Sequence, residues 1–334
     1  MRYTLMDVTL RDGSYEVNFR FSEEDTRRTV EAVGDARIPY VEIGHGLGLN
    51  ASGAKHGIAA CSDEEYLEAA REVNGFSKYG MFCIPGIAKV EALDILSRYG
   101  ASFVRIGCNS TVEDVKKTRP YIERAKELGL EVFANYMKTY VADDVTFTEC
   151  TDLSCKFGAD CLVIVDSAGC MLPDDITHYY NLIRDRKGDS VKVGFHGHDN
   201  LGLSVSNSVH ALEIGCDIVD TSLQSLGRGA GNASTEQVIA VLQKGFGEKD
   251  YHLAPLMEFS EGYLRHMVNF KGVSGLDTYC GIAGFHSGFM GSVRRMVKEY
   301  GVNPYELILE YCKIDRVGMD EKILESITRR LTSR

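Results

Sequence analysis

The sequence Tyr99-Gly100-Ala101-Ser102-Phe103-Val104 recurs in weaker form at two other places, and this repeat is the most informative pattern for the architecture of the chain. The other copies are Phe157-Gly158-Ala159-Asp160-Cys161-Leu162 and Ile214-Gly215-Cys216-Asp217-Ile218-Val219. In each copy the end of a helical pattern is followed by a glycine, a small residue and an apolar run that is typical of a buried strand. The repeat therefore indicates a chain built from successive strand–helix units.

Eight short apolar runs alternate with helical patterns over residues 1–245, which is typical of parallel strands joined by crossover helices. Eight such units fit a closed (β/α)8 barrel, the TIM barrel of the α/β class. An open doubly wound sheet is the alternative, but its Gly-x-Gly-x-x-Gly motif is missing after the first run. The predicted strands are Tyr3–Leu10, Tyr40–Gly44, Tyr79–Cys83, Phe103–Gly107, Glu131–Tyr136, Cys161–Val165, Val191–Phe195 and Asp217–Thr221.

The sequence beyond residue 245 changes character. Residues 246 to about 285 are less regular, whereas residues 287–334 return to a helical pattern in which Val302-Asn303-Pro304 begins a helix. We predict a barrel over residues 1–245 and a small C-terminal helical extension over residues 246–334 that packs near the barrel mouth. Within the barrel, the clearest predicted helices are Glu23–Ala36, Val90–Arg98, Val112–Leu128 and Leu203–Ile214.

Composition excludes several classes of partner. The 48 acidic and 37 basic residues give a formal charge of −11, and no long basic run is present, so we expect no nucleic-acid partner. No apolar stretch reaches the roughly 20 residues that span a bilayer, and we expect no membrane association. The chain begins on a predicted strand without a leader pattern, and its ten cysteines form no Cys-x-x-Cys pair. These features predict a cytoplasmic protein with reduced thiols.

Two imidazoles follow the seventh predicted strand in Phe195-His196-Gly197-His198-Asp199-Asn200-Leu201-Gly202. Side chains two residues apart on a strand point to the same side, so His196 and His198 can grip one metal ion. Asp12 follows the first predicted strand and supplies a carboxylate. In a (β/α)8 barrel the functional groups gather at the C-terminal ends of the strands, so these three residues predict a metal site. The alternative is a hydrogen-bonded histidine pair without a metal.

One carboxylate and two imidazoles suit a six-coordinate Mn²⁺ or Mg²⁺ better than a closed structural zinc site. A 2-oxo acid can then chelate the cation through its carboxylate and keto oxygens. Arg11, next to Asp12, is predicted to supply a further fixed positive charge to the substrate. Its alternative role is a structural ion pair at the barrel rim.

The chain resembles the metallolyase TIM barrels, which include 4-hydroxy-2-oxovalerate aldolase, isopropylmalate and homocitrate synthases and hydroxymethylglutaryl-CoA lyase. Within this superfamily it is most similar to the 4-hydroxy-2-oxoacid aldolases. The resemblance implies a divalent-metal-dependent (class II) aldolase that cleaves or forms a 4-hydroxy-2-oxo acid through a pyruvate enolate. It also implies that Mn²⁺ or Mg²⁺ is held by Asp12, His196 and His198. The motifs that carry the resemblance are Asp7–Gly13, Val41–Gly46, Val165–Gly169, His196–Leu203, Gly227–Ala233 and the closing segment Tyr300–Leu331.

Further candidate residues lie near the same strand ends. Asn232, in a glycine-rich loop, is predicted to ligate the metal or to orient a ligand, with a plain turn residue as the alternative. Ser167 is a candidate for binding the substrate carboxylate, and its alternative is also a turn residue. His45 is a candidate substrate contact from the second strand, and its alternative is a structural histidine.

The chain departs from the aldolase pattern at two positions. The aldolases that the chain resembles carry a histidine directly after the Arg-Asp-Gly-Ser stretch, where this chain has Tyr15. They carry a tyrosine at the position where this chain has His286. The two residue types are thus exchanged. Imidazole titrates near neutrality whereas an ordinary phenol does not, so we predict that His286 is the catalytic base and that Tyr15 orients it. The alternative is that both residues only line a changed pocket.

Three other functions are also compatible with the sequence. The first is an acyl-CoA-dependent synthase that condenses acetyl-CoA with a 2-oxo acid. The second is a non-catalytic barrel that binds a metal or metabolite as a partner subunit. The third is a Schiff-base aldolase that uses Lys138. The resemblance also implies a homo-oligomer and an aldehyde dehydrogenase partner that receives the aldehyde product.

Overall fold

In the computed structural model, which describes residues 3–73, 75–268 and 275–333, eight parallel strands close into a barrel. Each strand pairs with the next in chain order, and β1 pairs with β8. The predicted (β/α)8 barrel is confirmed. The strands are β1 (Thr4–Asp7), β2 (Tyr40–Ile43), β3 (Lys78–Cys83), β4 (Phe103–Asn109), β5 (Glu131–Met137), β6 (Cys161–Asp166), β7 (Lys192–Gly197) and β8 (Ile218–Thr221).

Helices cover the outside of the barrel, one after each strand. Gly158 and Gly215 of the repeat end their helices in the left-handed conformation, with φ of 109° and 108°, which explains why glycine precedes the next strand there. The barrel helices are α1 (Glu23–Asp35), α2 (Asp63–Val73), α3 (Asp94–Arg98), α4 (Val112–Glu127), α5 (Asp144–Phe157), α6 (Pro173–Lys187), α7 (Ser204–Ile214) and α8 (Thr235–Phe246).

The first strand is shorter than predicted. It ends at Asp7, whose carboxylate accepts hydrogen bonds from the backbone and hydroxyl of Thr9. The backbone N–H of Asp12 then donates to the Val8 carbonyl over 2.9 Å, which turns the chain instead of extending the sheet. Asp12 therefore begins a short 3₁₀-helix beyond the strand and does not end the strand itself.

The segment after α8 is more helical than predicted. It contains α9 (Leu253–Gly262), which packs against α1 and α8, and α10 (Gly275–Ala283). Residues 276–331 build a second hydrophobic core, whereas Leu256 and Leu264 belong to the barrel core. The division at residue 245 stays a prediction. The remaining helices are α11 (Met290–Tyr300), α12 (Pro304–Cys312, capped by Asn303) and α13 (Glu321–Thr332).

The C-terminal helices contact the loops that follow β5, β7 and β8. Lys138 Nζ donates to the carbonyl of Val317, and the Asn200 amide donates to the carbonyl of Asp277. Arg228 Nε donates to Ser287 Oγ. These contacts place the second core over the C-terminal ends of the strands, where a barrel carries its functional groups. In the described parts of the chain, no helix has the length and apolar character needed to cross a membrane.

Candidate metal centre and active site

The three predicted metal ligands meet at the C-terminal end of the barrel. One ligand atom from each of Asp12, His196 and His198 lies within 4.8 Å of the others, and all three side chains are buried. His196 belongs to β7, and His198 follows just after it in a bridge to Asn232. The pairing of β7 with β8, and of β8 with β1, brings the Asp12 loop to the same place.

Hydrogen bonds fix which nitrogen of each imidazole faces the centre. His196 Nδ1 lies 2.8 Å from Asp220 Oδ2, and His198 Nδ1 lies 3.1 Å from the Gly231 carbonyl. Since both partners can only accept, each Nδ1 carries the proton and each Nε2 presents a lone pair. The two Nε2 atoms lie 3.4 Å apart, and Arg228 Nη2 lies 3.1 Å from that of His198, so a cation shared by the two imidazoles would replace this arginine contact.

A fourth polar atom also fits a cation. The Asn232 amide nitrogen donates to Asp12 Oδ2 over 2.8 Å and to the Leu226 carbonyl over 3.0 Å. Its carbonyl oxygen Oδ1 is buried and has no hydrogen-bond partner among the described residues. A buried oxygen without a partner is costly in a protein, whereas carboxylate, amide and imidazole atoms together form a donor set that Mn²⁺ or Mg²⁺ accepts. The residues therefore fit a divalent cation.

The protonation states of the ligands agree with metal binding. Burial by itself raises the pKa of Asp12, but Arg11 and the site histidines outweigh it and hold the pKa well below its usual value. Burial, followed by repulsion from Arg228, lowers the pKa of His198 to about 3. Near neutrality Asp12 is consequently ionised and His198 is neutral, the forms in which both bind metals.

A connected network of buried charged side chains lies next to the candidate metal ligands. Arg11 Nε donates to Glu42 Oε2 over 2.7 Å, and Arg11 Nη1 donates to Asp12 Oδ1 over 2.8 Å. Arg105 is fully buried, donates to the same oxygen of Glu42 over 3.1 Å and forms an ion pair with Asp220. Removing any of these charges leaves its partner buried and unpaired, which is strongly unfavourable. Arg11 is thus locked beside Asp12, with its guanidinium 4.8 Å above the Phe82 ring.

Six of the predicted site residues line one cavity: Arg11, Asp12, Tyr15, Ser167, His196 and His198. Ser167 Oγ accepts a hydrogen bond from the Lys138 backbone over 3.0 Å, so its own hydrogen is free to point to a ligand.

His45 does not share this position. Its Nε2 lies 3.2 Å from the Gly57 carbonyl, its Nδ1 accepts from the Leu47 N–H, and its ring stacks on Phe19. Neither of its nitrogens is left for the substrate contact that we predicted.

Tyr15 and His286 lie close to Arg228, a cation that the sequence analysis gave no role. The Arg228 guanidinium lies 5.9 Å from the Tyr15 ring, and it donates to Ser287, the neighbour of His286. Burial raises the pKa of Tyr15, so the phenol stays protonated. Burial, followed by the positive charges of Arg228 and Lys138, lowers the pKa of His286 well below its usual value. Near neutrality His286 is therefore an uncharged imidazole that can accept a proton.

The His286 ring is also held by its own loop. Its Nδ1 accepts a hydrogen bond from the Gly288 N–H over 3.1 Å, which leaves the ring proton on Nε2. Lys138 is held even more firmly: its ammonium donates to Asn109 Oδ1 over 2.9 Å and to the Val317 carbonyl over 2.7 Å. Lys138 thus connects the barrel to the C-terminal helices, which is a structural role.

Comparison with known proteins identifies the family. The family model described as HMGL-like matches residues 2–262, which comprise the whole barrel and α9. The chain belongs to the HMGL-like family. Asp12, His196 and His198 lie at the position in the barrel where the fold carries its functional groups.

Curated relatives of this HMGL-like chain are named 4-hydroxy-2-oxovalerate aldolase. The protein from Geobacillus thermodenitrificans is 32% identical over 99% of this chain and 96% of its own length. The protein from Thermomicrobium roseum is 35% identical over 96% of this chain and 89% of its own length. These relatives confirm the prediction of a carbon–carbon lyase of the aldolase type. They favour it over the synthase and over the non-catalytic subunit.

Solved structures confirm the fold of the HMGL-like chain. The N-terminal domain of a putative aldolase from Bacteroides vulgatus matches with a TM-score of 0.72 and 22% identity, over 98% of this chain and 100% of that one. The carboxyl transferase domain Y628A of Rhizobium etli pyruvate carboxylase matches with a TM-score of 0.79 and 16% identity, over 99% of this chain and 61% of that one.

The sequence analysis of this HMGL-like chain missed four charged residues: Glu42, Arg105, Asp220 and Arg228. Three of them had a detectable signal, because Glu42, Arg105 and Asp220 interrupt apolar runs that were predicted as buried strands. A charge in a buried strand must be paired, and all three strands are even-numbered, so their side chains share layers of the barrel. Arg228 had no such signal, because it lies in a glycine-rich loop.

Proposed function

We propose that this chain is a divalent-metal-dependent aldolase that cleaves or forms a 4-hydroxy-2-oxo acid with a pyruvate enolate as intermediate. The observation that carries this proposal is the convergence of Asp12 with two imidazoles whose Nε2 lone pairs face each other at 3.4 Å. The names of the relatives support the substrate class. Asp12, His196 and His198, with Asn232 Oδ1 beside them, would hold Mn²⁺ or Mg²⁺.

When bound, such a cation polarises a carbonyl oxygen and stabilises the negative charge that develops on it. Arg11 binds the substrate carboxylate, because its guanidinium is fixed by Glu42 and Asp12 and needs no reorganisation during the reaction. Ser167 adds a hydroxyl donor on the β6 side of the cavity.

His286 takes the proton of the 4-hydroxyl group, and Tyr15 orients that hydroxyl or the imidazole. The imidazole is uncharged near neutrality and can accept this proton, and its lowered pKa makes it a weaker base than an ordinary histidine. The proton must be accepted at Nδ1, which requires the release of the Gly288 N–H, or at Nε2 after exchange of the tautomer. Either route breaks the hydrogen bond from the Gly288 N–H to Nδ1.

We further propose that the protein is a cytoplasmic homo-oligomer that docks an aldehyde dehydrogenase. The ten cysteines are all free, as expected in a reducing compartment.

The proposed function is tested by measuring pyruvate release from 4-hydroxy-2-oxo acids after chelation and after addition of Mn²⁺ or Mg²⁺. We expect activity only with the cation and its loss in Asp12→Asn. Asp217→Asn is the control, because Asp217 pairs with Arg184 on the outside of the barrel. Metal-independent cleavage, or thiol release from acetyl-CoA with a 2-oxo acid in place of cleavage, would contradict the proposal.

A further inference from the structure

Arg228 is the cation in the cavity whose charge the reaction above does not use. Its Nη2 lies 3.1 Å from His198 Nε2, its Nε donates to Ser287 Oγ over 3.1 Å, and its guanidinium is 5.9 Å from the Tyr15 ring. None of these groups is an acid, and no described carboxylate forms an ion pair with it. Arg228 lines the cavity and acts on Asp12 only through space, so its guanidinium has no directly bonded carboxylate and can accept one from a ligand.

The nearby carboxylates are already committed to other groups. Asp12 is bonded to Arg11 and belongs to the metal centre. Glu42 is shared by Arg11 and Arg105, and Asp220 by Arg105 and His196. The three carboxylates only balance the charge of Arg11, Arg105 and Arg228, and each of them is bonded directly to a group other than Arg228. A bound divalent cation adds further positive charge.

The two guanidiniums approach different sides of Asp12. Arg11 donates to Oδ1, whereas Arg228 contacts His198 Nε2, which lies 4.0 Å from Oδ2. Arg11, Tyr15 and Arg228 line the same cavity, so a substrate whose 2-oxo acid end is bound by Arg11 leaves Tyr15 and Arg228 for its other end. This is the end that leaves as the aldehyde.

Resting on the aldolase function above, we propose that Arg228 binds a carboxylate on the leaving half of the substrate. The preferred substrate class is then a 4-hydroxy-2-oxo diacid, and the carbonyl product is itself an oxo acid. Guanidinium and carboxylate form paired charge-assisted hydrogen bonds, which gives Arg228 a geometric reason to select this group.

The bond changes balance without another reactant. The base takes the proton of the 4-hydroxyl, C4–O becomes a carbonyl, and the C3–C4 bond breaks with its electron pair passing into the enolate. Protonation of the enolate at C3 gives pyruvate. For 4-hydroxy-2-oxoglutarate the products are pyruvate and glyoxylate, and the carboxylate on Arg228 leaves with glyoxylate.

Binding of two unreactive acids tests the selectivity without turnover. 2-Oxoglutarate and 2-oxopentanoate share the 2-oxo acid end and have the same chain length, but only the first carries a second carboxylate. By calorimetry on the Mn²⁺-loaded protein we expect 2-oxoglutarate to bind at least about tenfold more tightly. Arg228→Gln should remove this preference, and Arg228→Lys should keep part of it because the charge remains.

A matched control and a turnover measurement complete the test. Arg265→Gln makes the same change at an exposed arginine that pairs with Glu261, and it should leave the preference unchanged. In turnover, kcat/KM for 4-hydroxy-2-oxoglutarate should exceed that for 4-hydroxy-2-oxovalerate, and the ratio should fall in Arg228→Gln. Equal binding of the two acids in the wild-type protein, or a ratio that Arg228→Gln leaves intact, would refute the role of Arg228.

Exchange of the methyl protons of pyruvate in D₂O separates this inference from the function on which it rests. Exchange reports formation of the enolate and needs no aldehyde. Metal-dependent exchange without a preference for the diacid would overturn only the role of Arg228. Absence of both exchange and cleavage with either substrate would overturn the aldolase function and the role of Arg228 with it.

Discussion

Asp220 Oδ2 lies 2.8 Å from His196 Nδ1 and is also the oxygen that pairs with Arg105. One carboxylate thus fixes the tautomer of a metal ligand and neutralises a fully buried arginine. Arg105 in turn reaches Glu42, which holds Arg11. The candidate metal ligands and Arg11 are therefore oriented by one connected set of charges.

Replacing Asp220 with asparagine should weaken metal binding about 10- to 100-fold, because the His196 ring loses the charged partner that fixes its orientation. Calorimetric titration of the metal-free protein with Mn²⁺ measures this change. Asp217→Asn, three residues earlier, is the matched control and should bind Mn²⁺ as the wild type does. Unchanged affinity in Asp220→Asn would show that the Asp220 contact does not tune the site.

Asn232→Ala should also weaken Mn²⁺ binding, by about tenfold or more, because it removes the buried Oδ1 that has no other partner among the described residues. It also removes the amide that orients Asp12. The electron paramagnetic resonance spectrum of bound Mn²⁺ should change together with the affinity. Wild-type affinity with an unchanged spectrum would make Asn232 a turn residue only.

His286→Ala should lower kcat for cleavage about 10²- to 10⁴-fold while the protein still holds its metal, because a general base is removed without touching the ligands. Steady-state rates and the metal content after gel filtration give the two readouts. Tyr15→Phe should lower kcat less, since the phenol orients and does not take the proton. A wild-type rate in His286→Ala would end the assignment of the base.

Asp7 should make stability depend on pH. Burial raises its pKa from 3.8 to about 7, so the folded protein retains a proton that the unfolded chain releases near pH ~4. The contribution to the free energy of unfolding is therefore largest below pH ~4, decreases as the pH rises toward ~7, and is constant above it. A shift of about three pKa units corresponds to roughly 4 kcal/mol.

Urea unfolding at a series of pH values measures this slope. Asp7→Asn cannot ionise and should flatten the profile over the same interval. A profile that is identical in the wild type and in Asp7→Asn would show that Asp7 titrates normally.

Tyr251→Phe should lower stability without changing catalysis. The Tyr251 hydroxyl donates to the Tyr3 carbonyl over 2.6 Å and accepts from the Leu5 N–H over 3.1 Å. Losing it removes one hydrogen bond from each of two backbone groups, at a cost of about 1–3 kcal/mol. The midpoint of urea unfolding should fall while kcat stays the same. A reduced kcat at full stability would contradict this purely structural role.

Much of the site could be predicted because its residues form recognisable patterns in the local sequence. His196 and His198 share a strand end, and Asp12 follows a strand with an arginine before it and a glycine after it. His45 shows the limit of this reasoning, since a histidine at the same rim is bonded to Leu47 and Gly57 instead. Only the course of the loop after β2 decides which of the two roles a histidine there takes.

The sequence by itself determined the barrel, because the period of apolar residues and the glycines at several helix ends are set by local geometry. The tertiary structure alone decided how charges far apart in the chain are paired. Asn232 meets Asp12 across 220 positions, and Lys138 meets Val317 across 179. Such pairs are fixed by barrel closure and by the packing of the C-terminal helices over the strand ends. Electrostatic pairing depends on distance in space and has no period along the chain. The surroundings of Arg228 could therefore not be predicted from the sequence.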